Sequence, residues 1–158
     1  MRAYHSAGLA LAAFLLAGPA EAQTIDPELT RAAQCSGVIK GNAMVDLALG
    51  GDESKIQADF YLANVYFFGA IKKVLGSKPS DAEALLYQQI YTGSVDEVVR
   101  AHDSGTWNSQ SYENVITCFS AAGTFFIDEL PDHGVKEDKI RKLAADQMAN
   151  VKIVLGLD

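Results

Sequence analysis

Phe60-Tyr61-Leu62-Ala63-Asn64-Val65-Tyr66-Phe67-Phe68-Gly69-Ala70-Ile71 contains no charged residue, and its reading decides the fold. With the flanking chain added, Ile56, Phe60, Ala63, Phe67, Ile71 and Val74 recur at three- and four-residue steps, the repeat of one face of an α-helix. Asp52 ahead of the segment offers an acceptor to the orphan N–H groups of a first turn. Lys72 and Lys73 place positive charge at the negative end of the helix dipole, and Gly76 lets the chain leave the helix. Tyr61, Leu62, Val65, Tyr66 and Phe68 carry apolar character around the remaining sides. A helix apolar nearly all round is either central to a bundle or presents an adhesive face.

Outward from this segment the same logic places four more helices. Upstream, Asp26-Pro27-Glu28 opens one whose stripe is Leu29, Ala32, Cys35, Val38, Ile39, Asn42, Val45 and Leu49, stopped by Gly50-Gly51. Downstream, Ser80 and Glu83 form a capping box after Pro79, and Leu85, Leu86 and Ile90 carry a third helix to about Tyr91. Gly93 and a second capping pattern, Ser94 to Glu97, predict a break there and a shorter helix to about His102. Residues 103–108 read as a loop. A fourth main helix begins near Ser109 to Ser111, with Tyr112, Ile116, Phe119, Gly123, Phe126 and Leu130 as its expected buried stripe and Pro131 as its stop. The last starts near Val135, carries Ile140, Leu143, Ala144, Met148, Val151, Val154 and Leu155 on one side, and ends at Gly156. No period-two run insists on a strand. The expectation is an all-α fold, an antiparallel bundle of four to five helices, in one domain over residues 23–158.

Residues 1–22 read as a secretory signal peptide. Arg2 is followed by twelve apolar residues, Ala7 to Gly18, and Ala20-Glu21-Ala22 fits the small-x-small cleavage rule, which makes Gln23 the expected first residue of the exported chain. As a helix, twelve residues span about 18 Å, short of a bilayer core of about 30 Å, so no stable membrane anchor is expected after cleavage. The expected location is periplasmic or secreted. Cys35 and Cys118 would both be exported into an oxidising compartment, where two thiols in one small domain pair; a structural disulfide is therefore expected. The formal charge is −7 and stays −7 after the leader is removed. That balance speaks against nucleic acid, whose phosphates are bound by clustered Lys and Arg.

Few chemistries have the residues they need. A bundle di-iron site takes Glu-x-x-His on paired helices, yet neither His102 nor His133 stands three residues after a Glu. H-E-x-x-H, C-x-x-C, G-x-S-x-G and the glycine-rich phosphate loops are absent from the sequence, so no metal, no cofactor and no catalytic residue is assigned. Both histidines are expected at the surface. Asp46, Asp59 and Glu113 lie near apolar stretches, and a convergent pair of acids in a deep pocket is the arrangement that would raise an enzyme.

The feature above background is aromatic. Five of the fourteen aromatics fall between Phe60 and Phe68, and Tyr87 and Tyr91 stand one turn apart on the third helix. One reading makes these an aromatic core. The other takes Phe60, Asn64, Phe67, Tyr87 and Tyr91 as a candidate apolar binding surface, with Asn42 and Asn64 as polar fixing points. The functional expectation is an exported, non-enzymatic interaction or inhibitor-type protein of the cell envelope, with a protein partner or self-association. The alternative is a carrier that holds a small apolar ligand between helices.

Overall fold

The computed structural model describes residues 25–76, 79–128 and 136–157. The expected leader over residues 1–22, the Leu130-Pro131 stop and His133 lie outside them. Five helices follow in order: α1 (Pro27–Ala48), α2 (Glu53–Leu75), α3 (Asp81–Asp103), α4 (Ser109–Asp128) and α5 (Glu137–Leu155), and no strand occurs among the described residues. The all-helical bundle expected from the sequence is the observed one.

The starts are where side-chain chemistry puts them. The Asp26 carboxylate accepts from the Leu29 N–H at 2.9 Å, and Asp52 accepts from the Lys55 N–H at 2.8 Å. Ser80 and Glu83 exchange both bonds of a capping box. The Lys73–Glu28 and Lys55–Asp46 ion pairs join opposite ends of α1 and α2, which therefore run antiparallel. α3 lies beside α1 in the same direction: its Tyr87 meets the start of α1 through the Asp26 N–H, and its Val98 lies against Gly41.

α1 is the axis of the bundle. It alone lies close to all four other helices, and its buried set includes Ala32, Ala33, Ser36, Gly37, Gly41 and Ala43. These small residues let backbones approach. A methyl group built on Gly37 would collide with the Tyr91 carbonyl oxygen and lie 2.7 Å from the Ser94 Cβ; one on Gly41 would lie 2.8 Å from the Val98 Cβ. Between α2 and α4, likewise, the Phe125 ring rests where a Cβ of Gly69 would be. One apolar cluster joins α1, α2, α3 and α4, and a smaller one, built from Ala43, Leu47, Ile56, Phe60 and Ala144, seats α5.

Cys35 in α1 and Cys118 in α4 form a disulfide, with Cα atoms 4.8 Å apart and a separation of 83 positions in sequence. In the chain-entropy account a loop of that length contributes about 4–5 kcal/mol.

Two expectations are corrected. Gly93 does not break the third helix, which runs without interruption from Asp81 to Asp103. A glycine inside a helix costs about 1 kcal/mol, and the seating of Tyr91, Val95 and Val98 in the core outweighs it. Ser94 starts no helix; its hydroxyl turns back to donate to the Ile90 carbonyl at 3.0 Å. In α4 the buried residues are Val115, Cys118, Ala122 and Phe125, not the stripe through Tyr112, Ile116 and Phe126. The bond to Cys35 turns Cys118 inward, and residues three and four positions from a buried helical residue share its face.

The glycines make a paired test. Gly37→Ala should destabilise by about 2–3 kcal/mol, because backbone and not a flexible side-chain tip stands in the way. Gly93→Ala, with nothing within 4 Å of the new methyl, should stabilise by about 0.5–1 kcal/mol. Denaturant unfolding of both variants checks the opposite signs.

Candidate functional site

The five residues singled out by composition are all buried: Phe67, Tyr87 and Tyr91 in the main cluster, Phe60 in the smaller one, and Asn64 as a buried polar side chain outside both. Phe67 stacks on Tyr91 with ring centroids 4.9 Å apart and planes at 23°. Tyr87 Oη accepts from the Asp26 N–H at 2.9 Å, so it ties α3 to the start of α1. Phe60 belongs to the smaller cluster under α5. The Asn64 amide donates to the Phe60 carbonyl at 2.8 Å and to Gln147 Oε1 of α5 at 3.0 Å. Both acceptors are the protein's own, and the second holds α5 in place. Asn42 likewise donates to Asp46 Oδ2 at 3.2 Å. Burial pushes the Tyr91 phenol well up, and the Lys40 ammonium, 5.3 Å from that ring's centroid, is pushed down by the same cause. These groups hold helices together; the exposed apolar surface is elsewhere.

It lies along α4. Tyr112 is 58% exposed, Ile116 67%, Phe126 36% and Ile127 74%, and half-buried Phe119 and Gly123 stand between them. At about 100° per residue, this stripe is centred roughly 110° around the helix from the Val115–Phe125 stripe. α4 thus has two apolar faces, one of which is spent on α1 and α2. From Asn114 to Ile127 the sequence has no charged residue. At one end the stripe joins an aromatic stack: Tyr112 meets Trp107 edge-on at 5.6 Å, and Trp107 lies on His102 at 4.0 Å. At the other, Phe126 meets Tyr61 of α2 edge-on at 6.2 Å, and the Arg141 guanidinium of α5 covers Tyr61 at 4.5 Å. His102, expected at the surface, is half-buried under Trp107, with no hydrogen-bond partner for Nε2 among the described residues.

A second feature is a cleft of about 260 Å³ at the end of the bundle where α1, α3 and α5 finish, between Met44 of α1, Leu49 just beyond it, Val99 and His102 of α3, and Leu155 of α5. A third is Asp59. It is buried on α2, its Oδ2 has no hydrogen-bond partner among the described residues, and burial raises its carboxyl from 3.8 to about 6. Lys55 lowers it and Asp46, across on α1, raises it, both more weakly than burial does. Among the described residues no group of three or more His, Cys, Asp or Glu could hold a metal ion, and no helix is long and apolar enough to cross a membrane.

The α4 stripe reads as core in the sequence because amphipathic spacing marks an apolar face without saying what covers it. The signal that separates the two faces was present in Cys118: if it pairs with Cys35, then Val115, Ala122 and Phe125 are the inward residues.

Comparison with protein families, with curated proteins and with solved structures finds no match for this chain.

The buried acid predicts a pH dependence. Because the folded state holds the Asp59 proton up to about pH 6 and the unfolded chain releases it near 3.8, stability from this group is greatest below 3.8 and falls as pH rises between those values. Asp59→Asn should raise stability at pH 7.5 by about 1–2 kcal/mol, allowing for screening by water, and should remove most of the loss between pH 4 and 6.5. Thermal melts across that range check it; an unchanged slope in the variant would show the loss to arise elsewhere.

Proposed function

We propose that this chain is an exported interaction module of the cell envelope, non-enzymatic, which docks another protein surface on the uncharged face of α4. The observation that carries the reading is the second apolar stripe, Tyr112, Ile116, Phe119, Phe126 and Ile127. Exposed apolar residues scattered singly are ordinary; a contiguous row along one helix, with aromatic residues at both ends, has the make-up of the centre of a protein interface. Export is supported by the pattern of residues 1–22 and by the disulfide, a bond that persists in oxidising compartments. An inhibitor-type module, which blocks a partner by covering it, is one form this activity takes.

Ile116 gives the test, since it is largely exposed and its replacement disturbs no core contact. The tagged exported chain and its Ile116→Glu variant are compared in chemical cross-linking within envelope preparations. A specific adduct that falls at least tenfold in the variant, while the melting temperature stays within about 2 °C, is the expected result. Equal adducts from both proteins would remove α4 as the docking face.

The cleft between Leu49, Val99 and Leu155 favours a second reading, a carrier of a small apolar ligand, at a different place from the aromatic residues first suggested by the sequence. Its volume lies just below the usual range for small-molecule sites. Native mass spectrometry of freshly purified protein decides: a reproducible added mass lost in Leu155→Trp, which fills the cleft, supports the carrier, and bare protein mass throughout excludes it.

A further inference from the structure

We infer that the cleft where α1, α3 and α5 finish takes an apolar organic cation, a molecule with an aromatic or short aliphatic body and a protonated amine. The inference rests on the carrier reading and names the charge of its ligand. The body follows from the lining. Met44, Val45, Ala48, Leu49, Val99 and Leu155 make most of the wall of a space of about 260 Å³. An apolar cavity of about 150 Å³ accommodates a benzene ring, so this one has room for a ring with a short side chain. Leu49 is 77% exposed and Leu155 41%, and a bound apolar body would take part of that surface out of water.

The charge follows from two features of the same wall. The first is Asp103. It is the one carboxylate beside the cleft, and no Lys or Arg lines the space among the described residues. Nor does Asp103 have an ion pair or a side-chain hydrogen bond among them. Arg100, one turn earlier, donates its Nε to the Asp96 carbonyl instead. The second feature is the direction of the helices. α1 and α3 run the same way, and the Lys152–Glu53 ion pair sets the end of α5 beside the start of α2, so α5 runs that way too. The cleft is thus walled by the last turns of three helices, each bearing the negative end of its dipole. The last turn of α1 holds no basic residue, and Lys152 in that of α5 is engaged with Glu53. Asp103 stands in the last turn of α3, against that helix's own dipole. A carboxylate and three such ends attract a cation and repel an anion, so charge complementarity selects among bodies that the apolar wall alone would treat alike.

NMR titration of the exported chain with phenethylamine, phenethyl alcohol and phenylacetate tests the inference near neutral pH and at low salt. These share one ring and end in a positive, a neutral and a negative group. The expected result is a set of shifts confined to residues around the cleft, with the amine bound about fivefold more tightly than the alcohol and about tenfold more tightly than the acid. Asp103→Asn should shrink the preference over the alcohol to about twofold. It should not lower the melting temperature, because the residue is exposed and its charge opposes the α3 dipole. Leu155→Trp should abolish binding of all three. Equal binding of the three, lost in Leu155→Trp, overturns the cation inference and leaves the cleft a carrier of apolar molecules whatever their charge. Amine binding unchanged in Leu155→Trp, or a preference unchanged in Asp103→Asn, also overturns it, since the charge would then be read elsewhere. If none of the three binds, the carrier reading falls with the inference.

Discussion

The closeness of α1 to its neighbours is the constraint on which the rest of this molecule depends. Helices packed through large side chains sit 8–10 Å apart, and one helix cannot then serve as a shared wall for four others without gaps. Gly37 and Gly41, one turn apart, bring the α3 backbone against α1, while Ala32, Ala33 and Ala43 keep the remaining sides narrow. Because small residues contribute little apolar area of their own, the hydrophobic stabilisation comes from what they admit: Tyr87, Tyr91, Phe67 and Phe125 close around α1 from three helices.

That arrangement explains which parts of the fold the sequence disclosed. Helix starts are local chemistry, and Asp26, Asp52 and the Ser80–Glu83 pair act as their positions imply. The pairing of Cys35 with Cys118 also followed, from compartment and count. What stayed hidden was rank. The α2 segment, with its run of aromatic residues, drew attention as the centre, yet the centre is α1, whose glycines and alanines score as unremarkable in any hydropathy reading. Centrality here is a matter of smallness, which composition does not advertise. Gly93 misled for the complementary reason: its local signal is real, but about 1 kcal/mol of propensity cannot compete with three core side chains on the same helix.

The same distinction governs the candidate site. Aromatic density pointed to Phe60, Asn64, Phe67, Tyr87 and Tyr91, and each is committed to an internal contact, down to the Asn64 amide with its two acceptors inside the protein. The α4 face was legible as apolar and illegible as exposed. A helix with one stripe can be assigned by pattern alone; a helix with two needs a long-range fact to tell them apart, and here that fact is a covalent bond to α1.

An exposed apolar row is not required by this fold, and that gives it its interest. Polar replacements at Ile116 or Ile127 would leave every core contact in place and would lower the tendency of the exported chain to aggregate. The helix itself gains nothing from them either, since β-branched isoleucine and aromatic side chains are middling helix formers and Gly123 is a poor one. Core packing and helix propensity thus do not require these side chains, and solubility favours polar ones. An uncharged row of exposed apolar side chains on a chain that is otherwise acidic is therefore not a by-product of folding, and that is the ground on which α4 is proposed as a docking face.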